Sequence, residues 1–395
     1  MSEEEKKPEQ KTKTSDLLEY RKKQKKKSRI IKLCVAGAVL LAGIIVAVNF
    51  EAIVEPLRGI ASRIETKTSN EVGFPIKLPG SAGYAFDEFG ENFLLLTDTY
   101  LYAFQNNGGQ LYALRHGYTN PVASSNSKRV LLCDKNYTSF SFYSKTSKIY
   151  EQQTEGRILF GAVSDDDMAA VVTDSTKYTN VVTVFDDSGN WRYKRKFIDE
   201  NVMCVDFSDD QRYIYIAAIG TLNGSIYTTV YKFDINSTGD EVWQKTVISN
   251  SIPCSISTMG DNLGIAFDNR FMTLSQSTGE ELATLDFSGT LLSAQINFSG
   301  ASMLYTDKSS NRTQLALINN KGELLAQLSQ NPGVSVLARE NDNTYIIDNR
   351  KVRKFNFNSE QTAEFELGTE CSDFIVIASK AYLLAYDTVE CVEIS

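Results

Sequence analysis

Histidine, the side chain that most often moves protons near neutral pH and ligates zinc, occurs once in this 395-residue chain, at His116. It closes the stretch LYALRHGY with no cysteine beside it, so a zinc site has no ligand set there. A Ser-His-Asp triad would have to use the same residue, and no Gly-x-Ser-x-Gly accompanies it. His116 therefore reads as a satisfied surface residue. Cysteine offers little more. Cys34 falls in a long apolar run, and Cys133, Cys204, Cys254, Cys371 and Cys391 each lie in or beside a strand-like segment. The odd number reads as small buried apolar side chains, with a Cys204–Cys254 bond as the one conceivable pair.

Carboxylates are abundant but lack metal-binding order. Ser164 to Asp167 (SDDD) and Phe207 to Gln211 (FSDDQ) do not alternate Asp or Asn toward a terminal Glu, as a calcium loop of the EF-hand type requires, and both fall where a turn is expected. No catalytic, cofactor-binding or metal residue is assigned, and the protein is expected not to be an enzyme. Five Asn-x-Ser/Thr sites (Asn136, Asn223, Asn236, Asn297, Asn311) match what turns rich in these residues produce by themselves.

Residues 72–395 hold 26 Lys+Arg against 39 Asp+Glu, a net charge of −13. Such a surface repels phosphate backbones, so nucleic acid is excluded as a partner. The basic runs Arg192 to Phe197 (RYKRKF) and Arg350 to Phe355 (RKVRKF) are local exceptions, which strand alternation turns into solvated faces.

The elements that would position any site repeat. Apolar runs end in aspartate at Asp98, Asp134, Asp174, Asp268, Asp307, Asp348 and Asp387, with gaps of 36, 40, 94, 39, 41 and 39. The long gap spans two periods, and its missing member lies near Ile219, in YIYIAAIGTLNGSIYTTVYKF. A period of about 40 residues is that of a four-stranded propeller blade. Residues 158–197 write one unit in full: a first strand to Ser164–Asp167, a second to Asp174, a third over Asn180–Phe185, and a fourth ending near Phe197. The third-to-fourth turn recurs as NNGG at Asn106, NSTG at Asn236 and NNKG at Asn319. The last unit, Cys371 to Ile394, has room for three strands only, and Gly73 to Leu78 is expected to supply its fourth. The fold class is all-β: an eight-bladed β-propeller of four-stranded blades over 71–395, preceded by a single transmembrane helix.

Strand, Asp, turn, strand, Asp/Asn-x-x-Gly and outer strands such as GQLYAL, GEELATL and GELLAQL resemble the quinoprotein-like propeller superfamily. With its tail and apolar run, the chain as a whole resembles a membrane-anchored propeller family of unknown function from Gram-positive anaerobes. Quinone-dependent members of the superfamily carry Trp-rich docking repeats and a vicinal cysteine pair. This chain has only Trp191 and Trp243 and no adjacent cysteines, so no cofactor is expected.

Leu33 to Val48 is uninterrupted apolar or small residues, and residues 30–50 reach the roughly 20 residues a bilayer-crossing helix needs. Residues 1–32 hold 12 Lys+Arg against 6 Asp+Glu, with RKKQKKKSR directly before the run. The positive-inside bias places the tail 1–29 in the cytoplasm and everything after Phe50 outside. A cleaved signal peptide is the rival reading, opposed by the long basic region. The tail is expected to be disordered, and the segment 30–50 to contact membrane lipid. In 51–70, Ile53, Leu57, Ile60, Ala61 and Ile64 share one helical face, which reads as a juxtamembrane stalk or a homodimer stripe.

These features predict a non-enzymatic, extracytoplasmic interaction scaffold in the cell envelope, whose partner is a protein or a cell-wall component. The alternative is a sensor that takes a ligand at the channel mouth and signals through the anchor. The longest loops, around Asp174 to Asn180, Ile219 to Ser225 and Asp307 to Arg312, are expected on one face.

Overall fold

The computed structural model describes residues 73–78 and 83–394, apart from 166, 238, 249, 359 and 369. The expected tail 1–29, membrane segment 30–50 and stalk 51–70 lie outside the described residues, as does Cys34. Among the described residues no helix is long and apolar enough to cross a membrane.

The described chain forms eight antiparallel four-stranded sheets arranged as blades. Their inner strands begin at Gly83, Pro121, Ile158, Asn201, Pro253, Gly289, Leu337 and Asp373, close to the positions that the repeat predicts. Each blade packs on the next, and an apolar cluster fills every one of the eight interfaces. Second strands are covered on both faces and read as continuous apolar runs, such as Ala169–Thr173 (AAVVT), every residue of which is buried. Outer strands keep one wet side, and Gln361–Glu366 alternates accordingly.

The last blade takes Asp373–Ile377, Lys380–Leu384 and Thr388–Glu393 from the C-terminal end, with Ile76–Lys77 as its outer strand. Ile76 pairs with Val389, Lys77 with Thr388, and the Leu78 amide donates to the Asp387 carbonyl at 2.8 Å. Ring closure by the segment Gly73 to Leu78 is therefore observed, although the ladder itself spans two residues.

The recurrent aspartate is a structural device. Asp134 Oδ1 accepts from the Thr119 and Asn120 amides at 3.1 and 2.7 Å, Asp174 from Arg157 at 2.6 Å, and Asp268 from Ile252 at 2.9 Å. Each ties the end of a second strand to the connector that leads into its own blade. The third-to-fourth turns are likewise closed by their first residue: Asn319 Oδ1 accepts from the Lys321 and Glu323 amides at 3.0 and 2.9 Å. Gly322 (φ 83) supplies the left-handed corner there, and a Cβ on it would meet Thr273 of the preceding blade.

Candidate binding surfaces on the two faces of the ring

Strand direction divides the turns between two faces. Inner-to-second and third-to-outer turns share one, here the turn face. Second-to-third hairpins and blade connectors share the other, the hairpin face.

On the turn face, neighbouring blades are tied across the ring by short polar side chains. Ser125 donates to the Asp87 carboxylate and, at 3.2 Å, to the Glu88 carbonyl, while Asn126 Nδ2 donates to the Ser164 carbonyl at 2.5 Å. Arg129 grips Asp167 through Nε at 2.9 Å and Nη2 at 3.0 Å, and Thr258 donates to Asp209 at 2.7 Å. Both acidic turns thus fasten blade to blade. Ser164 Oγ also accepts from the Met168 amide at 2.9 Å, the local turn bond that the sequence implies. The inter-blade partners, about one period away in the chain, carry no sequence signal of their own.

The same face holds a cavity of about 400 Å³ at the channel mouth, lined by Asp87, Glu88, Ser125, Gln295, Asn297 and Arg339 among others. Arg339 is buried and fixed: Nη1 and Nη2 donate to Ser302 and Ser299 at 3.0 and 2.9 Å, and its guanidinium lies 4.6 Å from the Phe357 ring. Asp87 and Glu88 are exposed where they line this cavity, yet its protein walls crowd around them. Burial, with the charges of Asp87 and Glu340 adding to it, pushes Glu88 up to about 7. Burial also raises Asp87, opposed by its bonds from Ser125 and the Glu88 amide. Farther round the ring, burial lifts Asp206 to about 6 against bonds from Ser257, Phe207 and Thr258.

On the hairpin face, the three loops singled out by length all occur together, as expected. The loop near Ile219 is more ordered than a loop: blade 4 extends its second strand over Tyr213–Leu222 and its third over Ser225–Asp234, ten residues each, joined by Asn223 (φ 52) and Gly224 (φ 80). This Asn-Gly pair is the two-residue turn that matches strand twist. Ladder pairing takes the place of the missing aspartate, with Ile219 opposite Asn201. Leu222 at the tip is 52% exposed, and Ile248, opposite Tyr227 on the same side of the sheet, is 61% exposed. Ile198 in the adjoining connector is 68% exposed.

The chemistry-bearing residues stay apart. His116 Nε2 lies 3.1 Å from the Thr97 carbonyl, and its Nδ1 accepts from the Tyr118 amide at 3.0 Å, an arrangement that suits the neutral Nε2–H tautomer. Burial lowers its pKa, against the Thr97 bond and the charges of Asp134 and Asp98. All five described cysteines are free thiols, so Cys204 and Cys254 are not bonded. Cys133 and Cys204 are buried as expected, but Cys254 is exposed and Cys371 and Cys391 are half-buried. Burial raises the pKa of each, which leaves no activated thiolate. Trp191 and Trp243 belong to outer strands, away from the channel. Asn136, Asn223 and Asn311 occupy left-handed turn positions, which accounts for three of the five Asn-x-Ser/Thr sites. Among the described residues no group of three His, Cys, Asp or Glu side chains could hold a metal.

Solved structures similar to this chain share its fold at low identity. Sqt1 from Saccharomyces cerevisiae matches with a TM-score of 0.62 and 10% identity, covering 83% of this chain and 100% of its own. The C-terminal WD40 domain of Sif2 matches at 0.58 and 12%, covering 82% and 100%. BamB from Moraxella catarrhalis matches at 0.54 and 11%, covering 81% and 98%. A search of curated proteins gave no match. Residues 63–394 match DUF5711, described as a family of unknown function, and the chain belongs to that family.

Proposed function

We propose that the protein is a non-enzymatic interaction scaffold, held at the cell membrane by residues 30–50 with its N-terminus in the cytoplasm and its propeller outside. The projecting hairpin of blade 4 carries the binding part of this reading. Its strands run ten residues each, and Leu222, Ile248 and Ile198 are exposed around it, an apolar surface of the kind that marks a docking site. The basic flank of residues 1–32 supports the orientation. Cross-linked recovery from native membranes tests the scaffold: Leu222→Asp with Ile248→Asp should lose an envelope protein or wall fragment that the wild type retains. Protease added to intact protoplasts should cut the propeller or stalk and spare an N-terminal tag. Loss of the tag alone reverses the orientation, and release of a soluble propeller supports a cleaved signal peptide.

The cavity at the channel mouth favours a second reading, a sensor for a small polar ligand that signals through the anchor. A melting shift caused by a small molecule and abolished by Gln295→Ala, with the Leu222 and Ile248 variant unaffected, would move the assignment to this site.

A further inference from the structure

The cavity at the channel mouth is lined by blades 6, 7, 8, 1 and 2, in ring order. Its volume of about 400 Å³ lies at the small end of ligand pockets, about 300–1,000 Å³, so it suits one small molecule. Three charged side chains line it: Asp87 and Glu88 of blade 1, and Arg339 of blade 7. The two signs stand on different blades, and blade 8 between them lines the cavity with the apolar Phe374 and Ile375.

The bonds already made within the fold decide what the cavity can still bind. Asn126 and Asn297 are engaged in their own turns: Asn126 Oδ1 accepts from the Lys128 and Arg129 amides at 2.6 and 2.7 Å, and Asn297 Oδ1 from the Ser299 amide at 3.1 Å. The side-chain amide of Gln295 has no hydrogen-bond partner among the described residues. Neither has the Glu88 carboxylate, which also joins no ion pair there. Asp87 accepts from Ser125 and from the Glu88 amide, neither of them a cation. Arg339 is only 8% exposed and pairs with no carboxylate among the described residues. Its Nε donates to the Asn341 carbonyl at 3.3 Å, and with the Ser299 and Ser302 bonds this engages three of its five N–H groups. A buried guanidinium without a counter-ion is costly, and so are two neighbouring carboxylates without a cation.

The surroundings add to the negative side. Glu340 of blade 7 acts on Glu88, Asp373 of blade 8 is acted on by Asp87, and Asp342 acts on Arg339 without bonding to it. Lys145, a further cation nearby, sits over the Phe89 ring at 5.7 Å and does not line the cavity.

We propose that the channel mouth binds a free amino acid with a basic side chain: its carboxylate on Arg339, its α-ammonium on the Gln295 side-chain oxygen, and its side-chain cation on Asp87 and Glu88. The inference rests on the reading of the mouth as a small-ligand site and names the ligand class. Two carboxylates face one guanidinium, so a ligand with two cationic groups and one anionic group neutralises the lining, whereas a dicarboxylate does not. Because the two signs stand on different blades, the ligand must also hold its charges apart. A basic side chain does so, and the adjacent ammonium and carboxylate of alanine do not.

The test is calorimetric titration of the full-length protein in detergent at pH 8, where Glu88 is ionised, with L-lysine, L-alanine, L-glutamate and n-butylamine as probes. Lysine should bind, and each of the others should bind at least tenfold more weakly. Butylamine keeps the side-chain cation but lacks the carboxylate, so it reports the Arg339 contact without replacing a residue that also holds Ser299 and Ser302. Glu88→Gln should weaken lysine binding by at least tenfold, and Gln295→Ala should weaken it severalfold. Absence of lysine binding, alanine, glutamate or butylamine binding as tightly as lysine, or unchanged lysine affinity in Glu88→Gln overturns the proposal. A melting shift from an uncharged molecule that depends on Gln295 while lysine gives none would keep the mouth as a ligand site and overturn the basic amino acid alone.

Discussion

Ile76 pairs with Val389 in an antiparallel ladder, so the first described strand completes the last blade and joins chain segments more than 300 residues apart. Phe74 extends the seam, with its ring 6.3 Å from Phe93 of blade 1 and 5.8 Å from Tyr382 of blade 8. Closure should therefore dominate stability. Deleting residues 71–79 should expose the edge of Thr388–Glu393 and cause aggregation, or a large loss in denaturant midpoint. Phe74→Ala, which keeps the ladder, should cost roughly 2 kcal/mol because the ring is only half-buried. A truncated protein that stays monomeric with an unchanged melting temperature would rule out closure by this segment.

The seam leaves a second mark, on two tyrosines in matching positions. Tyr382 of blade 8 donates to the Asn106 carbonyl at 2.9 Å, in the third-to-outer turn of blade 1, and Tyr215 reaches Gln276 in the corresponding turn of blade 5 at the same distance. Tyr345 of blade 7 faces blade 8, whose third and outer strands come from different parts of the chain and share no turn. Its hydroxyl is buried without a partner among the described residues. Tyr345→Phe should therefore be neutral or stabilise by up to about 1 kcal/mol, whereas Tyr382→Phe should cost about 1 kcal/mol. Urea unfolding of both variants checks the difference in sign.

The fold was legible because its turns are chemical. The aspartate that ends seven of the eight second strands and the Asn-x-x-Gly turn recur because backbone amides demand those acceptors at those places, so the period survives in residue type. Closure was legible by subtraction, from a last unit too short for four strands. The channel mouth was not. Asp87 lies in an inner strand with nothing to distinguish it locally, and its partner Ser125 reaches it only when blade 2 packs on blade 1. Alternation in RYKRKF was legible as well: Lys194 and Lys196 share one side of the outer strand, and Tyr193 and Phe197 the other.

The carboxylates of the mouth should make stability depend on pH in an unusual direction. Glu88 has a folded pKa of about 7, raised from 4.5. A carboxyl whose pKa is raised on folding contributes its stability below the unfolded value and loses it as pH rises through the folded one. The wild type should thus lose stability between pH 4.5 and pH 7 at this site. Glu88→Gln should melt higher than wild type at pH 8, by about 1 kcal/mol after allowance for channel water, and gain nothing at pH 4. Melting curves at both values decide it, and a variant less stable than wild type at pH 8 would count against the crowded-carboxylate account.

His116 offers the reverse case and a test of the non-enzymatic reading together. Its folded pKa is lowered, chiefly by burial, and protonation of Nδ1 would break the bond that it accepts from the Tyr118 amide. A depressed pKa gives stability that is present above the unfolded value of 6.5 and is lost as pH falls through the folded one. The imidazole should therefore titrate below 6.5 by NMR, and wild type should weaken on acidification relative to His116→Ala. At neutral pH the alanine variant should lose about 1 kcal/mol, the worth of its two hydrogen bonds to the end of blade 1. It should still recover the same partner from membranes as the wild type. If a folded His116→Ala protein instead abolished the cellular phenotype while partner recovery stayed intact, the imidazole would be taking part in chemistry, and the scaffold reading would fail.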